Sequence, residues 1–287
     1  MSSNEQKILE KIQEARESYI NKDWNQAIRS YKWIEEQIKD DPVNLPIIWI
    51  ELGWSYYNLK DFENCILSLE KALNGNLLNV RQKFDCQRLI GFSYAFAGNN
   101  KNAIKLLTMA IKQKISDEEK KYAYFKLGEI LFIEGAIKKS KEHLIKVEKY
   151  FSWKETDYKK VLEYYLGFIA FYEKCFKDAE NHFTKIIDHA SNNKDKASGY
   201  FGIAHILQQR KNYKESVNIC KKILELDKDF YDQETLGFFF CKSFSELKQY
   251  KEFAIFFTEL REKYPKGRYN SYYPIFERTL LKIKNIE

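Results

Sequence analysis

Few residues in this sequence have the type and the spacing that a catalytic or metal-binding site requires. The histidines are the first candidates. Four histidines are present, and two of them, His182 and His189, lie close to Asp188. Imidazole and carboxylate groups are common ligands for zinc. His182 and His189 are two helical turns apart, so they would share a helix face without forming a tight site. We therefore interpret them as residues of a solvated helix face and predict no metal ion.

The cysteines do not form a recognisable site either. Their odd number and the lack of a C-x-x-C pair argue against a disulfide framework and against a zinc site; the five are Cys65, Cys86, Cys175, Cys220 and Cys241. The sequence also lacks a phosphate-binding loop, a G-x-S-x-G motif and an H-E-x-x-H motif. Because no carboxylate pair stands out as general acid and base, we expect a protein that is not an enzyme and needs no cofactor.

The composition favours a soluble protein. Of 287 residues, 44% are hydrophobic and 31% are charged, with a net charge of +7. That charge is mild for this length and is not typical of a dedicated nucleic-acid binder. The opening MSSNEQKILEKIQ is charged, so we expect no signal peptide, and the apolar run Tyr164–Tyr172 is too short to cross a bilayer. Free thiols suit a reducing compartment, so we expect a cytoplasmic protein without membrane insertion.

The elements that position these residues are helices arranged as a repeat. No proline occurs between Pro46 and Pro265, and no alternating β-branched pattern indicates strands. A small residue recurs at intervals of 38, 38, 37, 39, 37 and 37 residues, at Ala15, Gly53, Gly91, Gly128, Gly167, Ala204 and Cys241. Twelve residues after each lies a second position, small in six of seven copies: Ala27, Cys65, Ala103, Ser140, Ala179, Ser216 and Phe253. Glycine within a helix costs roughly 1 kcal/mol, so we expect close helix packing at Gly53, against Cys65.

This pattern resembles the tetratricopeptide repeat family. Trp49, Leu52, Gly53 and Tyr56 match its W-x2-L-G-x2-Y hallmark. The resemblance implies an all-α, right-handed α-solenoid of seven antiparallel helix hairpins plus a C-terminal capping helix, forming one domain over 1–287. The repeats are predicted at about 4–41, 46–79, 84–117, 121–155, 158–192, 197–230 and 234–266, and the capping helix at 271–286.

The resemblance also implies a concave groove lined by the first helix of each repeat, in which relatives bind peptides or helices. Here one stripe of those helices is rich in aromatic residues, and we expect one concave apolar surface in the middle of the chain. The predicted groove residues are Trp54, Tyr57, Arg88, Phe92, Phe96, Phe125, Glu129, Phe132, Tyr164, Phe168, Phe171, Tyr172, Phe201 and His205. We therefore predict a protein-interaction scaffold or adaptor that binds an apolar or amphipathic peptide or helix, or that self-associates through this face.

Two alternatives stay open for the same residues. The rings could instead thicken the core between repeats, which full burial of Phe125 and Phe168 would indicate. The protein could also be a regulatory sensor, or a subunit of a larger complex, that signals through a partner chain.

Nucleic acid and chaperone tails are disfavoured as partners. The lysine-rich segments 137–149 and 210–222 are typical of a solvated outer face, and a single-stranded RNA-binding helical repeat is the less favoured interpretation. The positions that would read base edges hold mostly apolar residues; they are Ile12, Ile50, Arg88, Phe125, Tyr164, Phe201 and Phe238. Some relatives hold the C-terminal tails of heat-shock chaperones in a clamp. This clamp needs Lys and Asn at the fifth and ninth positions of the repeat. Those positions hold Ile12/Arg16, Ile50/Trp54, Arg88/Phe92 and Phe125/Glu129, so we expect no such partner.

Overall fold

The computed structural model describes residues 3–75 and 77–284, and these residues form α-helices with no β-strand among them. Fourteen helices pair in sequence as seven hairpins, followed by a short 3-10 helix and a last helix. Their bounds are α1 Ser3–Ile20, α2 Trp24–Gln37, α3 Leu45–Asn58, α4 Phe62–Asn74, α5 Val80–Phe96, α6 Asn100–Ile111, α7 Lys121–Ile133, α8 Ile137–Glu148, α9 Thr156–Tyr172, α10 Phe176–Asp188, α11 Asn193–Gln209, α12 Tyr213–Leu226, α13 Gln233–Glu246, α14 Tyr250–Lys263, the 3-10 helix Asn270–Tyr272 and α15 Tyr273–Lys284. The predicted all-α fold is confirmed.

Some boundaries differ from the predicted repeats. Helices α5 and α11 begin at Val80 and Asn193, four residues before the predicted positions 84 and 197. The last helix begins at Tyr273, after the 3-10 helix that starts at Asn270. Residues 285 and 286 of the predicted capping helix lie outside the described residues.

The turn inside each hairpin shows the repeat most directly. Each turn places one residue in the left-handed region, with φ between 58° and 75°: Lys22, Lys60, Gly98, Gly135, Lys174, Lys211 and Lys248. Their intervals of 38, 38, 37, 39, 37 and 37 residues equal those of the small residues in the sequence. In the first three turns the next side chain caps the second helix, through Asp23, Asp61 and Asn99.

In the second to fifth hairpins, a glycine of the first helix admits a large side chain of the second. A methyl group added at Gly91 would lie 2.7 Å from Leu107 Cγ, and one at Gly128 would lie 2.6 Å from Leu144 Cγ. The neighbour of Gly53 is Leu69, one turn beyond the expected Cys65. The expectation of two small residues facing each other is therefore corrected: glycine accommodates a leucine, and this close packing offsets its conformational cost.

The helices form two compact units, Met1–Tyr150 and Phe151–Glu287. The first has α1 to α8, with fully buried residues such as Ala27 and Leu107. The second has α9 to α15, and fully buried rings such as Phe183 and Phe257 dominate its core. A single continuous array over 1–287 stays a prediction. Over the described part of the chain, no helix has the length and apolar character needed to span a membrane.

Candidate partner-binding surfaces

The histidines singled out in the sequence are held by other side chains. His182 Nδ1 lies 2.6 Å from a carboxylate oxygen of Glu163, which is fully buried and also pairs with Lys159 at 2.8 Å. Burial alone would raise the pKa of Glu163, but the bonds from His182 and Lys159 outweigh it and hold that pKa at about 2. His182 therefore belongs to a buried ionic network in the second unit, which corrects its assignment to a solvated face.

His189 is separate from that network, since its ring stacks on Trp153 at 4.1 Å. In the ranges 3–75 and 77–284, no group of three or more His, Cys, Asp or Glu residues is placed to hold a metal ion.

The cysteines are free, and four of the five are buried. Burial raises the pKa of Cys65 to about 11 and that of Cys86, Cys220 and Cys241 to about 12. These thiols are protonated at neutral pH and are poor nucleophiles. They are packing residues, as predicted for Cys65 and Cys241.

Four predicted groove residues of the first unit form an aromatic surface at the C-terminal halves of α3 and α5, together with Phe62 at the start of α4. We define this α3–α5 aromatic surface as Trp54, Tyr57, Phe62, Phe92 and Phe96. Phe96 is 58% exposed, and the other four are partly buried. Phe96 stacks on Phe62 with centroids 5.3 Å apart and contacts the Tyr57 ring at 6.3 Å. The helices thus present several rings at one solvent-facing place.

Cationic groups lie on this surface. The Arg88 guanidinium lies over the rings of Trp54 and Phe92, at 5.5 and 5.8 Å, and pairs with Asp85 at 3.0 Å. Its Nε is buried and has no hydrogen-bond partner. The stacking stabilises the delocalised guanidinium of Arg88 among apolar rings. A lysine ammonium at this position would cost more free energy, because it is more strongly hydrated.

The edge of the α3–α5 aromatic surface nearer α7 carries a second ion pair, between Lys126 and Glu129. Lys126 Nζ lies 5.5 Å from the Phe96 centroid. Sequence analysis singled out neither Lys126 nor Phe62. An aromatic residue follows five of the seven turns, and this was the available signal for Phe62.

Three predicted groove residues are buried and are not part of any exposed surface. Phe125, Phe168 and Phe201 are 5%, 6% and 3% exposed. These rings belong to the core of their units, so the expectation that they line the groove is corrected. Phe132, also in the predicted set, is partly buried on α7.

In the second unit the remaining predicted residues pack largely against one another. The His205 ring lies among Phe168, Phe171, Phe201 and Phe239, with centroids 4.7 to 5.6 Å away. Burial lowers the pKa of His205 to about 4, so the ring is neutral at pH 7. His205 is a packed residue here.

Few of the predicted groove residues in the second unit have an exposed ring. Tyr172 is 57% exposed. Tyr164 shares a 2.5 Å hydrogen bond between hydroxyl groups with Tyr231, which sequence analysis did not single out and which is 65% exposed. The second unit thus also presents exposed rings, whereas the α3–α5 aromatic surface groups five rings at one site.

Comparisons with known proteins agree with this geometry. Residues 47–74 and 197–230 match the tetratricopeptide repeat model, and no curated protein sequence matches the chain. The apo form of RapI is similar, with a TM-score of 0.64 and 15% identity over 94% of this chain and 79% of that one. A tetratricopeptide repeat protein from Parabacteroides merdae has a TM-score of 0.57 and 13% identity, covering 96% of this chain and 98% of its own. A Rap protein complexed with competence and sporulation factor has a TM-score of 0.54 and 13% identity, covering 94% and 80%. Two segments of the chain therefore match tetratricopeptide repeats, and the fold is similar to that of a tetratricopeptide repeat protein.

Proposed function

We propose that this protein is a non-enzymatic interaction scaffold of the cytoplasm that binds an apolar or amphipathic peptide or helix on the α3–α5 aromatic surface. The observation that carries the proposal is the exposure of Phe96 beside four partly open rings. Exposed aromatic clusters are uncommon away from binding sites, and aromatic side chains dominate interface hot spots. One similar structure is itself a complex of a Rap protein with competence and sporulation factor.

The chemistry of this surface supports an amphipathic ligand over a purely apolar one. The rings offer apolar contact area at low cost in side-chain entropy. Arg88 and Lys126, each paired with a carboxylate, place charges where the polar flank of a ligand would lie. The free thiols of the chain suit a reducing cytoplasm.

The test compares two exposed apolar residues, one on the first helix of a hairpin and one on the second helix of another. Phe96 lies on the first helix α5 and Leu67 on the second helix α4, and they are 58% and 53% exposed. The wild type and the variants Phe96→Ser and Leu67→Ser would each be used to capture partners in the native cell, with quantitative mass spectrometry. We expect Leu67→Ser to retain the captured protein and Phe96→Ser to lose it about 30-fold, as for a hot-spot residue worth about 2 kcal/mol.

The fold must survive for this comparison, and both substituted positions are exposed, so far-UV circular dichroism should be unchanged. Retention of the partner by Phe96→Ser together with its loss in Leu67→Ser would move the binding face to the second helices and contradict the proposal.

A further inference from the structure

One position of the repeat holds a large side chain in six hairpins and a glycine in the seventh. It lies four residues before the recurring small residue of each first helix: Lys11, Trp49, Gln87, Tyr124, Glu163, Tyr200 and Gly237. Beside Gly237 lies a cavity of about 240 Å³, between α12 and α14 and with α13 as its floor. The cavity therefore lies among second helices and shares no residue with the α3–α5 aromatic surface.

In three other hairpins this position holds an aromatic ring beside a lysine that follows 22 residues later. The distances from the lysine Nζ to the ring centroid are 5.8 Å for Lys71 and Trp49, 4.7 Å for Lys146 and Tyr124, and 4.2 Å for Lys222 and Tyr200. Trp49 Nε1 also donates a hydrogen bond to Glu35 of α2 at 2.7 Å. Trp49 thus lies between the consecutive second helices α2 and α4.

The cavity of the seventh hairpin corresponds to the place that Trp49 takes in the second. Counted from the small residue of each hairpin, Glu35 corresponds to Leu224 and Lys71 corresponds to Glu259. Both Leu224 and Glu259 line the cavity. The two groups that contact Trp49 therefore have their counterparts on the two sides of the cavity. The glycine leaves open a space that an aromatic side chain fills elsewhere in the repeat.

The lining of the cavity suits an aromatic ring. Phe240 of α13 and Phe256 of α14 stack with centroids 4.5 Å apart, and Leu236 and Leu260 are buried beside them. Aromatic pairs gain stabilisation beyond the area that they bury. An apolar cavity of about 150 Å³ accepts benzene, so a cavity of about 240 Å³ has room for the two rings of an indole.

The polar rim orients such a ring. Glu259 takes the place of the lysine found in the other hairpins, and Lys263, which also lines the cavity, donates to Gln233. A carboxylate is repelled by the negative face of a ring but accepts a hydrogen bond from an N–H or O–H at its edge. The exchange of lysine for Glu259 therefore favours a ring that turns a donor edge toward this side chain.

We propose that the cavity at Gly237 binds an indole or phenol ring, in contact with Phe240 and Phe256 and with its N–H or O–H donating to Glu259. The ring belongs either to a small aromatic molecule or to a tryptophan or tyrosine side chain of a partner protein. The site lies in the second unit and does not rest on the proposed function.

Ligand-observed ¹⁹F NMR with the full chain tests the proposal, using 5-fluoroindole and the N-acetyl amide of 5-fluorotryptophan as probes. We expect 5-fluoroindole to bind with a Kd between about 0.1 and 1 mM, as for a fragment of this size. Binding of both probes would identify a ring carried on a peptide backbone, and binding of 5-fluoroindole alone would identify a small molecule. No binding of either probe at about 5 mM would overturn the proposal.

A variant that fills the cavity locates the binding. Gly237→Tyr/Glu259→Lys reproduces in the seventh hairpin the arrangement of Tyr200 and Lys222. A methyl group at Gly237 would lie 3.0 Å from Leu260 Cδ1, the flexible end of a side chain that can rotate away. We expect 5-fluoroindole to bind this variant at least about 10-fold more weakly, with the far-UV circular dichroism unchanged. Glu252→Ala, two turns before Glu259 on α14 and outside the cavity, should bind like the wild type.

A second comparison does not depend on the folding of the filled variant. The probe 5-fluoro-1-methylindole lacks the N–H donor, so the wild type should bind it at least about 5-fold more weakly than 5-fluoroindole. Glu259→Ala, an exposed substitution, should bind the two probes equally. The proposal is overturned if the wild type does not distinguish the two indoles, or if a folded Gly237→Tyr/Glu259→Lys binds 5-fluoroindole like the wild type.

Discussion

Phe183 of α10 is held between two glycines, and this contact predicts the effect of adding one methyl group. Phe183 is fully buried. A methyl at Gly167 of α9 would lie 2.6 Å from its Cε1, and one at Gly202 of α11 would come closer still to its Cδ1. The ring cannot retreat from Gly202 without meeting α9. We therefore expect Gly202→Ala to destabilise the chain, although alanine is the better helix former.

The magnitude follows from two opposing terms. Replacing glycine by alanine within a helix gains about 1 kcal/mol. Overpacking a close-packed core costs about 1–3 kcal/mol, and the confined ring favours the upper part of that range. The free energy of unfolding should fall by about 1–2 kcal/mol, measured by urea denaturation with far-UV circular dichroism.

A double-mutant cycle tests the cause. Phe183→Leu removes most of the ring, so Gly202→Ala should stabilise the chain by about 1 kcal/mol in that background, with a coupling energy of about 2–3 kcal/mol. Gly75→Ala is the control, because its methyl would lie 3.4 Å from Pro46 Cγ in ordinary contact; it should stay within about 0.5 kcal/mol of the wild type. Equal stability of Gly202→Ala and the wild type, or an equal cost in both backgrounds, would refute the steric argument.

Three further predictions concern stability in urea titrations. Lys60 has φ of 64°, so Lys60→Gly should raise the free energy of unfolding by about 0.5–1 kcal/mol. Ala136 precedes α8 without a capping side chain, and Ala136→Asp should add about 1 kcal/mol. Glu163→Gln should cost about 3 kcal/mol at pH 7, because Lys159 and His182 lose a buried anion. The pKa of Glu163 in the folded chain, about 2, lies below the value of about 4.3 in an unfolded chain, so its contribution is present above about pH 5 and is lost as the pH falls toward 2. A difference between wild type and Glu163→Gln that stays constant over that range would contradict the ion-pair assignment.

The sequence predicts the hairpins well because the repeat leaves two independent marks on each copy. One is the small residue of the first helix, and the other is the turn with its left-handed residue, as at Lys60 and Gly98. The starts of α5 and α11 were placed late because the apolar pattern begins after the helix does. Asn79 and Gln82 form a capping box at α5, and Asn192 caps α11, so local capping signals mark the true starts.

Helical periodicity could not separate exposed from buried aromatic positions. It assigns Phe96 and Phe168 to comparable stripes, yet the first is 58% exposed and the second 6%. Exposure depends on how closely neighbouring helices approach. Around Phe168 that approach is set by Phe183, which fits against Gly167 and Gly202 and brings α9 and α11 together. This distance is a tertiary property that a single stripe of residues does not contain.

The same reasoning applies to a cleft of about 600 Å³ between the N-terminal halves of α1 and α3, which sequence analysis did not identify. A stripe of residues describes one face of one helix in each repeat. The cleft is instead formed by three helices, with α1 and α3 as its walls and α2 as its floor. Where two first helices pack closely, apolar residues become core, and where they separate, the same residue types stay in contact with solvent. The spacing between first helices, rather than the number of aromatic residues on them, therefore determines how much apolar surface stays exposed.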